Sequence, residues 1–216
     1  ATFIGKMVAE HTDIPSGVFN VVTSQDPAVL GDMLTGDPRI DVISFTGSTG
    51  IGKHIMKRGA DTVKKVFLEL GGKSAHIILD DADVGFASFM CISVCFNAGQ
   101  GCALATRMLV PHSLYDQAVE TAKSVFESIK LGDPMSRDQI MGPLANKRQQ
   151  MRVLEYIEKG KAEGARLVCG GAVPEGLEKG CYVLPTIFAD VSNDMTIAQE
   201  EIFGPVLCII PYDTEE

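Results

Sequence analysis

The apolar stretch SFMCISVCF runs into a small polar segment, FNAGQGC (residues 96–102), which ends in the thiol of Cys102. The glycines of this segment allow backbone and ligand to approach each other closely. Most cysteines are small buried hydrophobic residues, and we expect this of the five others, Cys91, Cys95, Cys169, Cys181 and Cys208. The polar, flexible turn before Cys102 instead predicts a reactive thiol.

A nucleophilic thiol enzyme needs a base, and Glu69 is the candidate. It lies at the apolar strand end LELGGKS, residues 68–74, where burial would raise the carboxyl pKa and suit it to general-base work near neutral pH. A strand-end carboxylate in solvent explains the same pattern and stays the alternative. The four histidines stand in no cysteine-protease signature, so a Cys–His hydrolase has no support.

Two further stretches offer groups for a ligand. SFTGSTGIGKHI (residues 44–55) indicates a strand, a glycine-rich turn and a helix start, whose N–H groups and dipole can hold a phosphate. It spells neither the dinucleotide fingerprint nor the P-loop, so a purely structural turn explains it equally well. QEEIFGPV (residues 199–206) offers carboxylates for sugar hydroxyls, or a solvated acidic pair before a turn.

Alternating segment types predict the frame that positions these groups in the first 70 residues. Helical patterns occur at TFIGKMVAEH, PAVLGDMLT and IGKHIMKRGA, and strand patterns at GVFNVVT, VISFTG and VKKVFLEL. This alternation indicates a doubly wound parallel α/β sheet. The chain opens on a helix where a self-contained sheet would show more strands, so we expect the first half of this domain to precede Ala1.

The pattern starts again at Gly71. A strand in IILDDADV precedes Asp83, a predicted helix N-cap, and a helix through Val94. Further on, ATRMLVP, ARLVCGG, YVLPTIFAD and IFGPVLCIIPY are strand-like, and amphipathic helices are expected near 112–130 and 144–163. Two domains are therefore predicted, residues 1–70 and residues 71–216, the second ending before its closing element.

Composition excludes several classes of protein. The 216 residues carry a net charge of −9 and no basic stripe, so nucleic acid is not an expected partner. The apolar runs are too short for a membrane span, and the first residues, ATFIGKMVAEHTDIPSG, carry Glu10 and Asp13 and are not a signal peptide. The six cysteines have no CxxC or zinc-finger spacing, which favours reduced thiols in a cytosol-type compartment and predicts no metal site.

Taken together and in order, FTGSTGIG, LELGGKS, FNAGQGC and EEIFGPV resemble the NAD(P)-dependent aldehyde dehydrogenase superfamily. The resemblance also runs through DVISFTGS, GARLVCGG and PTIFADV, and so covers essentially the whole chain. Four ordered motifs are more specific than any one of them. The 33 positions from Glu69 to Cys102 are close to the family's usual separation.

The resemblance implies a mechanism. Cys102 matches the nucleophile that attacks the aldehyde, and its backbone N–H, with an asparagine from elsewhere, would hold the oxyanion. Hydride passes to NAD or NADP and leaves a thioester. Glu69 matches the base that activates water to hydrolyse it, which favours water over coenzyme A as the acyl acceptor.

The same resemblance assigns residues to the cofactor. Gly47 and Ser48 match the helix turn that meets the pyrophosphate, and Ile51 matches an apolar wall for the adenine. Leu70 lies where the family's backbone carbonyl meets the nicotinamide amide.

Glu201 matches the ribose-binding carboxylate, and Phe203 matches a neighbour of the nicotinamide ring. Two positions depart from the family pattern. Cys95 stands where a second aromatic residue is frequent, and Gly101 stands where a larger residue is common. A larger pocket or a looser loop is the expected consequence.

The resemblance also implies that the chain is an internal piece. The family's oxyanion asparagine and a cofactor lysine would precede Ala1, and a subunit-pairing strand would follow Glu216. The full-length form is then expected to be a cytoplasmic homo-oligomer acting on a small aldehyde, and the 216 residues alone are expected to be inactive. A non-catalytic remnant that serves as a binding or interaction module is the alternative, but the presence of both Cys102 and Glu69 favours an enzyme.

Overall fold

The computed structural model describes residues 1–214. The chain divides into two compact units, Ala1–Leu70 and Gly71–Glu216. Glu215 and Glu216, where the predicted second domain ends, lie outside the described residues. The assignment of the units to a cofactor domain and a catalytic domain stays a prediction.

The first unit, all of it described, contains three helices and one parallel strand pair. Its elements are α1 (Thr2–His11), α2 (Pro27–Gly36), β1 (Val42–Gly47), α3 (Thr49–Gly59), a 3₁₀ turn (Ala60–Thr62) and β2 (Lys65–Leu70). The register of β1 and β2 runs from Val42 opposite Lys65 to Gly47 opposite Leu70. The carboxyl ends of both strands therefore lie side by side, with the start of α3 directly after β1.

Helix α3 is fixed at its start and along its length. The Ser48 hydroxyl accepts a hydrogen bond from the Ile51 N–H at 3.4 Å, which caps the helix. A Cβ at Gly52 would lie 2.8 Å from Leu70 Cδ2, so α3 packs directly on β2. Ile55 is buried at this contact face.

The strand predicted at GVFNVVT is wrong: among the described residues, 17–23 form no strand. A strand exists only where its N–H and C=O groups pair with a neighbour, and the apolar pattern alone does not show whether a neighbour is present. The segment leaves Val18 70% exposed and Phe19 45% exposed. Phe67 on β2 is also 62% exposed, so this unit presents much apolar surface.

The second unit is built on five strands among its described residues. Its elements are β3 (Ala75–Ile77), α4 (Val84–Phe89), a 3₁₀ segment (Met90–Gly99), β4 (Arg107–Pro111), a 3₁₀ turn (His112–Leu114), α5 (Tyr115–Glu127), α6 (Lys147–Ala162), β5 (Arg166–Cys169), β6 (Thr186–Ala189), α7 (Thr196–Gln199) and β7 (Val206–Tyr212). The sheet order is β3-β4-β7-β6-β5. Neighbours pair in parallel except β5, which runs antiparallel to β6.

The predicted α/β class is confirmed, and this unit shows one local agreement and one local difference. Asp83 caps α4 as predicted, its carboxylate accepting from the Phe86 N–H at 3.1 Å. The chain is helical through Val94 as predicted, but it is α-helical only to Phe89 and continues as a 3₁₀ segment, which loses helical geometry at Phe96. The periods of the two helix types, roughly 3.6 and 3.0 residues per turn, cannot be told apart over so few residues, so periodicity could not place this change.

Candidate active site

Exposure distinguishes Cys102 from the other cysteines. Of the six, all of which the structure describes, only Cys102 is exposed; Cys91, Cys95 and Cys208 are buried and the remaining two are half-buried. Burial raises the pKa of Cys91 to about 12 and that of Cys208 to about 11. The prediction of five buried cysteines therefore needs one correction: Cys169 and Cys181 are only partly covered.

A strained backbone precedes the thiol. Asn97, Ala98 and Gly99 have φ values of 50°, 54° and 73°, a left-handed region that a residue with a Cβ seldom adopts. Gln100 holds this run: its side-chain amide donates to the Asn97 carbonyl at 2.9 Å, and its side-chain oxygen accepts from the Ala145 N–H at 2.9 Å. The loop is thus tied to a second segment of the unit.

Glycines allow this loop to touch two neighbouring backbones. A Cβ at Gly99 would lie 2.1 Å from the carbonyl carbon and oxygen of Gly204. A Cβ at Gly72 would lie 3.0 Å from the Cys102 carbonyl oxygen. The loop that carries the thiol, residues 96–102, is called the thiol loop below. It packs against residues 71–74 (GGKS) and 203–205 (FGP), which belong to two of the motifs found in the sequence.

Gly101 has a packing explanation. A Cβ there would lie 2.9 Å from Leu104 Cγ. The Leu104 side chain thus occupies the space that a larger residue at 101 would need, and the turn closes with the Leu104 N–H donating to the Gly101 carbonyl at 3.5 Å.

The Glu201 side chain lies beside Gly71, the residue before the Gly72 that contacts the thiol loop. Its carboxylate is so close to Gly71 that a Cβ there would lie 2.1 Å from Oε2. Its Oε1 is buried without a hydrogen-bond partner among the described residues, and so is Lys73 Nζ. Burial lowers the pKa of Lys73, the Arg107 charge lowers it further, and Cys208 and Glu201 oppose this. A buried carboxylate oxygen without a partner is an acceptor available to a ligand hydroxyl.

Phe203 follows in an unusual conformation. Its φ is 61°, and its side chain is 37% exposed. A non-glycine residue is rare in this region, and such strain collects at ligand-binding sites. The ring therefore presents an apolar surface two residues after the Glu201 carboxylate.

The other predicted residues gather in the first unit. Gly47 and Leu70 are register partners, as are Thr46 and Glu69, at the carboxyl ends of β1 and β2. Ser48 and Ile51 begin α3 directly after β1, and Ile51 is half-exposed. This end of a parallel pair, with a helix N-terminus beside it, suits an anionic ligand.

Glu69 itself is exposed. The expectation that this carboxyl is buried at the strand end is therefore wrong for this unit, and the solvent-exposed alternative describes what the structure shows. Its role as a base stays a prediction from the resemblance.

Sequence reasoning missed three residues. Lys73, whose Nζ is buried, lies between the apolar patterns of two strands, and this position is a signal of a buried charge. Gln149 and Arg152 on α6 contact the segment that carries Glu201. Because these contacts join positions about 50 residues apart, no local pattern predicts them.

Fold and site together define an α/β protein with an exposed thiol on a strained loop. The chain belongs to the aldehyde dehydrogenase family, whose model matches residues 1–216.

Named relatives agree with this membership. The chain is 48% identical over 210 residues to 3-succinoylsemialdehyde-pyridine dehydrogenase of a Pseudomonas species, covering 96% of this chain and 44% of that protein. An aldehyde dehydrogenase structure from Bartonella henselae matches with a TM-score of 0.93 and 44% identity, over 99% of this chain and 45% of that one. A mutant of aldehyde dehydrogenase C from Pseudomonas syringae, complexed with NAD+ and octanal, matches with a TM-score of 0.84 and 43% identity, over 86% of this chain and 39% of that one.

The chain thus spans less than half the length of the relatives it matches. Among residues 1–214, no helix combines the length and apolar character needed to cross a membrane.

Proposed function

We propose that the full-length protein to which this chain belongs oxidises a small aldehyde to a carboxylic acid with NAD or NADP, using Cys102 as the nucleophile. The observation that carries the proposal is the exposed Cys102 thiol at the end of a strained loop seated against Gly72 and Gly204. Membership of the aldehyde dehydrogenase family supports it. The Pseudomonas syringae relative, complexed with NAD+ and octanal, supports the class of cofactor and substrate.

On the first unit, the proposed contacts with the dinucleotide lie at the carboxyl ends of β1 and β2 and at the start of α3. Gly47 and Ser48 would hold the pyrophosphate at the start of α3, where nothing crowds the Gly50 backbone. Ile51 would cover the adenine, and the Leu70 carbonyl would accept from the nicotinamide amide.

On the second unit, Glu201 would accept hydrogen bonds from a ribose through its unpartnered oxygen. Phe203 would lie against the nicotinamide ring. When bound, the cofactor supplies a hydride acceptor.

The chemistry begins at Cys102. Its thiolate forms a C–S bond with the aldehyde carbon, and the carbonyl oxygen becomes an alkoxide that the Cys102 backbone N–H stabilises. Loss of hydride from this carbon restores the C=O bond as a thioester. Glu69 removes a proton from water, whose oxygen attacks the thioester, and collapse breaks the C–S bond, which releases the acid and the thiolate.

Water is the proposed acyl acceptor because Glu69 is present. We further propose that the full-length protein is a cytoplasmic homo-oligomer. The test is NAD(P)H formation from aliphatic aldehydes such as octanal by the full-length protein, with and without coenzyme A. Turnover that requires coenzyme A would identify an acylating enzyme, and no turnover with any aldehyde would favour a non-catalytic binding module.

A further inference from the structure

The side chain of Gln100 joins the thiol loop to a second segment of the same unit. Its amide nitrogen donates to the Asn97 carbonyl at 2.9 Å, and its amide oxygen accepts from the Ala145 N–H at 2.9 Å. We call this pair of hydrogen bonds the amide clamp. The second bond links positions 45 residues apart, so the clamp connects the loop to a distant part of the chain.

On the loop side, the clamp acts at the residue where the backbone becomes left-handed. Asn97 has a φ of 50°, and Ala98 and Gly99 continue with φ values of 54° and 73°. The Asn97 carbonyl accepts two hydrogen bonds, one from the Gln100 backbone N–H at 3.1 Å and one from its side chain at 2.9 Å. A strained backbone persists only where its surroundings fix it, and these two bonds fix the turn that leads to Cys102.

The segment at the other end of the clamp is anchored independently. Leu144 is buried, and its N–H donates to the Cys181 carbonyl at 2.9 Å. Asn146 caps the following helix by accepting from the Gln149 N–H at 2.9 Å. The Ala145 N–H lies between these two anchored residues, so the clamp ties the loop to a rigid support.

Backbone contacts limit the loop in other directions. A Cβ at Gly99 would lie 2.1 Å from the carbonyl carbon of Gly204, and one at Gly72 would lie 3.0 Å from the Cys102 carbonyl oxygen. Contacts of this kind block movement toward Gly72 and Gly204, but they do not resist movement away from them. Directed hydrogen bonds can resist it, and the clamp supplies two.

The clamp lies at the wall of a cavity of about 520 Å³, which Asn97, Gln100 and Ala145 help to line. Because Asn97 and Ala145 are exposed, water can replace the two hydrogen bonds if the Gln100 side chain is lost. Such a loss differs from that of a buried hydrogen bond, where a polar group is left unsatisfied. It should therefore alter the conformation of the loop more than the stability of the unit.

We propose that Gln100 is a positioning residue: through the amide clamp it holds the strained thiol loop in the conformation that presents the Cys102 thiol and backbone N–H to the aldehyde. This inference rests on the proposed function, in which Cys102 is the nucleophile. Only Gly101 separates Gln100 from Cys102, so a rotation of the Gln100 peptide is passed on to both reacting groups.

The test compares full-length variants by kcat/KM for octanal, by the Kd of NAD+ from calorimetry and by the unfolding temperature. Gln100→Met keeps the length of the side chain and removes both bonds of the clamp. It should lower kcat/KM by about 10- to 100-fold, the range expected when a reacting group is displaced by up to about 1 Å. The Kd should change by less than about twofold and the unfolding temperature by less than about 4 °C, as expected for one or two exposed hydrogen bonds.

A second variant, Gln100→Glu, separates the two bonds. Its ionised carboxylate can still accept from the Ala145 N–H, but it has no donor for the Asn97 carbonyl. Because the loop is held at Asn97, this variant should lose at least as much activity as Gln100→Met. Near-wild-type activity of either variant would overturn the proposal.

Gln117 on α5 supplies the matched control. It is exposed and lies in the same unit, and Gln117→Met makes the same chemical change as Gln100→Met. It should leave kcat/KM, Kd and the unfolding temperature unchanged. Equal losses from the two variants would overturn the proposal. So would a loss of activity in Gln100→Met that is matched by an equal weakening of NAD+ binding, because it would then reflect a general structural defect.

Labelling with iodoacetamide separates failure of this inference from failure of the proposed function. Cys102 stays exposed without the clamp, so the wild-type protein and Gln100→Met should be alkylated there at rates within about threefold of each other. If Cys102 is labelled and required for turnover but Gln100→Met is fully active, the positioning role alone fails. If another cysteine takes the label and Cys102→Ser stays active, the proposed function fails, and the positioning role with it.

Discussion

At the scale of single residues, exposure is what distinguishes the candidate nucleophile. Buried thiols whose pKa is raised stay protonated and inert, whereas an accessible thiolate reacts. In the full-length protein, we expect iodoacetamide at low dose to label Cys102 first and Cys102→Ser to abolish turnover, as peptide mapping and NADH formation would show. Cys181→Ser, at a half-buried thiol, is the matched control and should stay active. A label on another cysteine together with an active Cys102→Ser would refute the assignment.

A second prediction concerns the proposed base. Glu69→Gln removes the proton acceptor but not the nucleophile, so thioester hydrolysis should slow by about 10²–10⁴-fold, the usual contribution of a general base, while hydride transfer changes little. Stopped-flow absorbance should show a burst of NADH followed by a slow steady state. Asp61→Asn, at an exposed acid of the same unit, should show the wild-type trace. Equal slowing of burst and steady state would contradict the role.

The residues that the sequence could identify are those whose signal is local. Cys102 follows a turn of glycine and polar residues, and that turn is visible in seven letters. The exposure of Glu69 was undecided, because the alternation of a strand does not show which face is covered. The contact of Gln149 with Phe203 spans 54 positions, so only the folded chain brings it into view.

At the scale of elements, the Gly99 and Gly204 backbones lie so close together that a side chain at position 99 should be disruptive. Gly99→Ala would place a Cβ 2.1 Å from Gly204 at a residue with a φ of 73°. We expect destabilisation by about 2–4 kcal/mol, from overpacking and from the left-handed conformation, and a loss of activity as the thiol loop shifts. Chemical denaturation of the full-length variant measures the first effect and a turnover assay the second.

The matched control for this change is Gly85→Ala in α4 of the same unit. A Cβ at Gly85 meets only Asp83 Oδ1, at 3.4 Å, an ordinary contact. Stability should be unchanged or slightly higher, because alanine favours helix over glycine. Equal stability of the two variants would show that the loop tolerates a side chain at 99.

Elements with a periodic pattern and a cap were predictable, and elements defined by their partners were not. Helices α1, α2, α3, α5 and α6 and strands β1 and β2 are confirmed near the predicted positions. The segment GVFNVVT has the composition of a strand but no pairing partner among the described residues. The antiparallel direction of β5 is likewise a property of the sheet, not of the four residues that form the strand.

At the scale of the whole molecule, the two units bury their residues very differently. In the second unit, β6 is entirely buried and β7 largely so. In the first, a two-stranded sheet leaves Phe67 62% exposed and Val42 49% exposed. Two strands alone are seldom stable in water, and large exposed apolar surfaces mark contact sites. The first unit is therefore the part that we expect to depend on further protein.

The last prediction follows from this contrast. The 216 residues span 44% of the Pseudomonas dehydrogenase and 45% of the Bartonella henselae structure. We expect the chain expressed alone to form no NADH from octanal and to bind NAD+ more weakly than millimolar, since one face of the first unit's two-stranded sheet is exposed. Calorimetry and an aldehyde assay on the purified chain test this, with the full-length protein as the positive control. Hydrogen exchange should show weak protection in β1 and β2 and strong protection in β6 and β7. Micromolar NAD+ binding with measurable turnover would show that the two units need nothing beyond themselves.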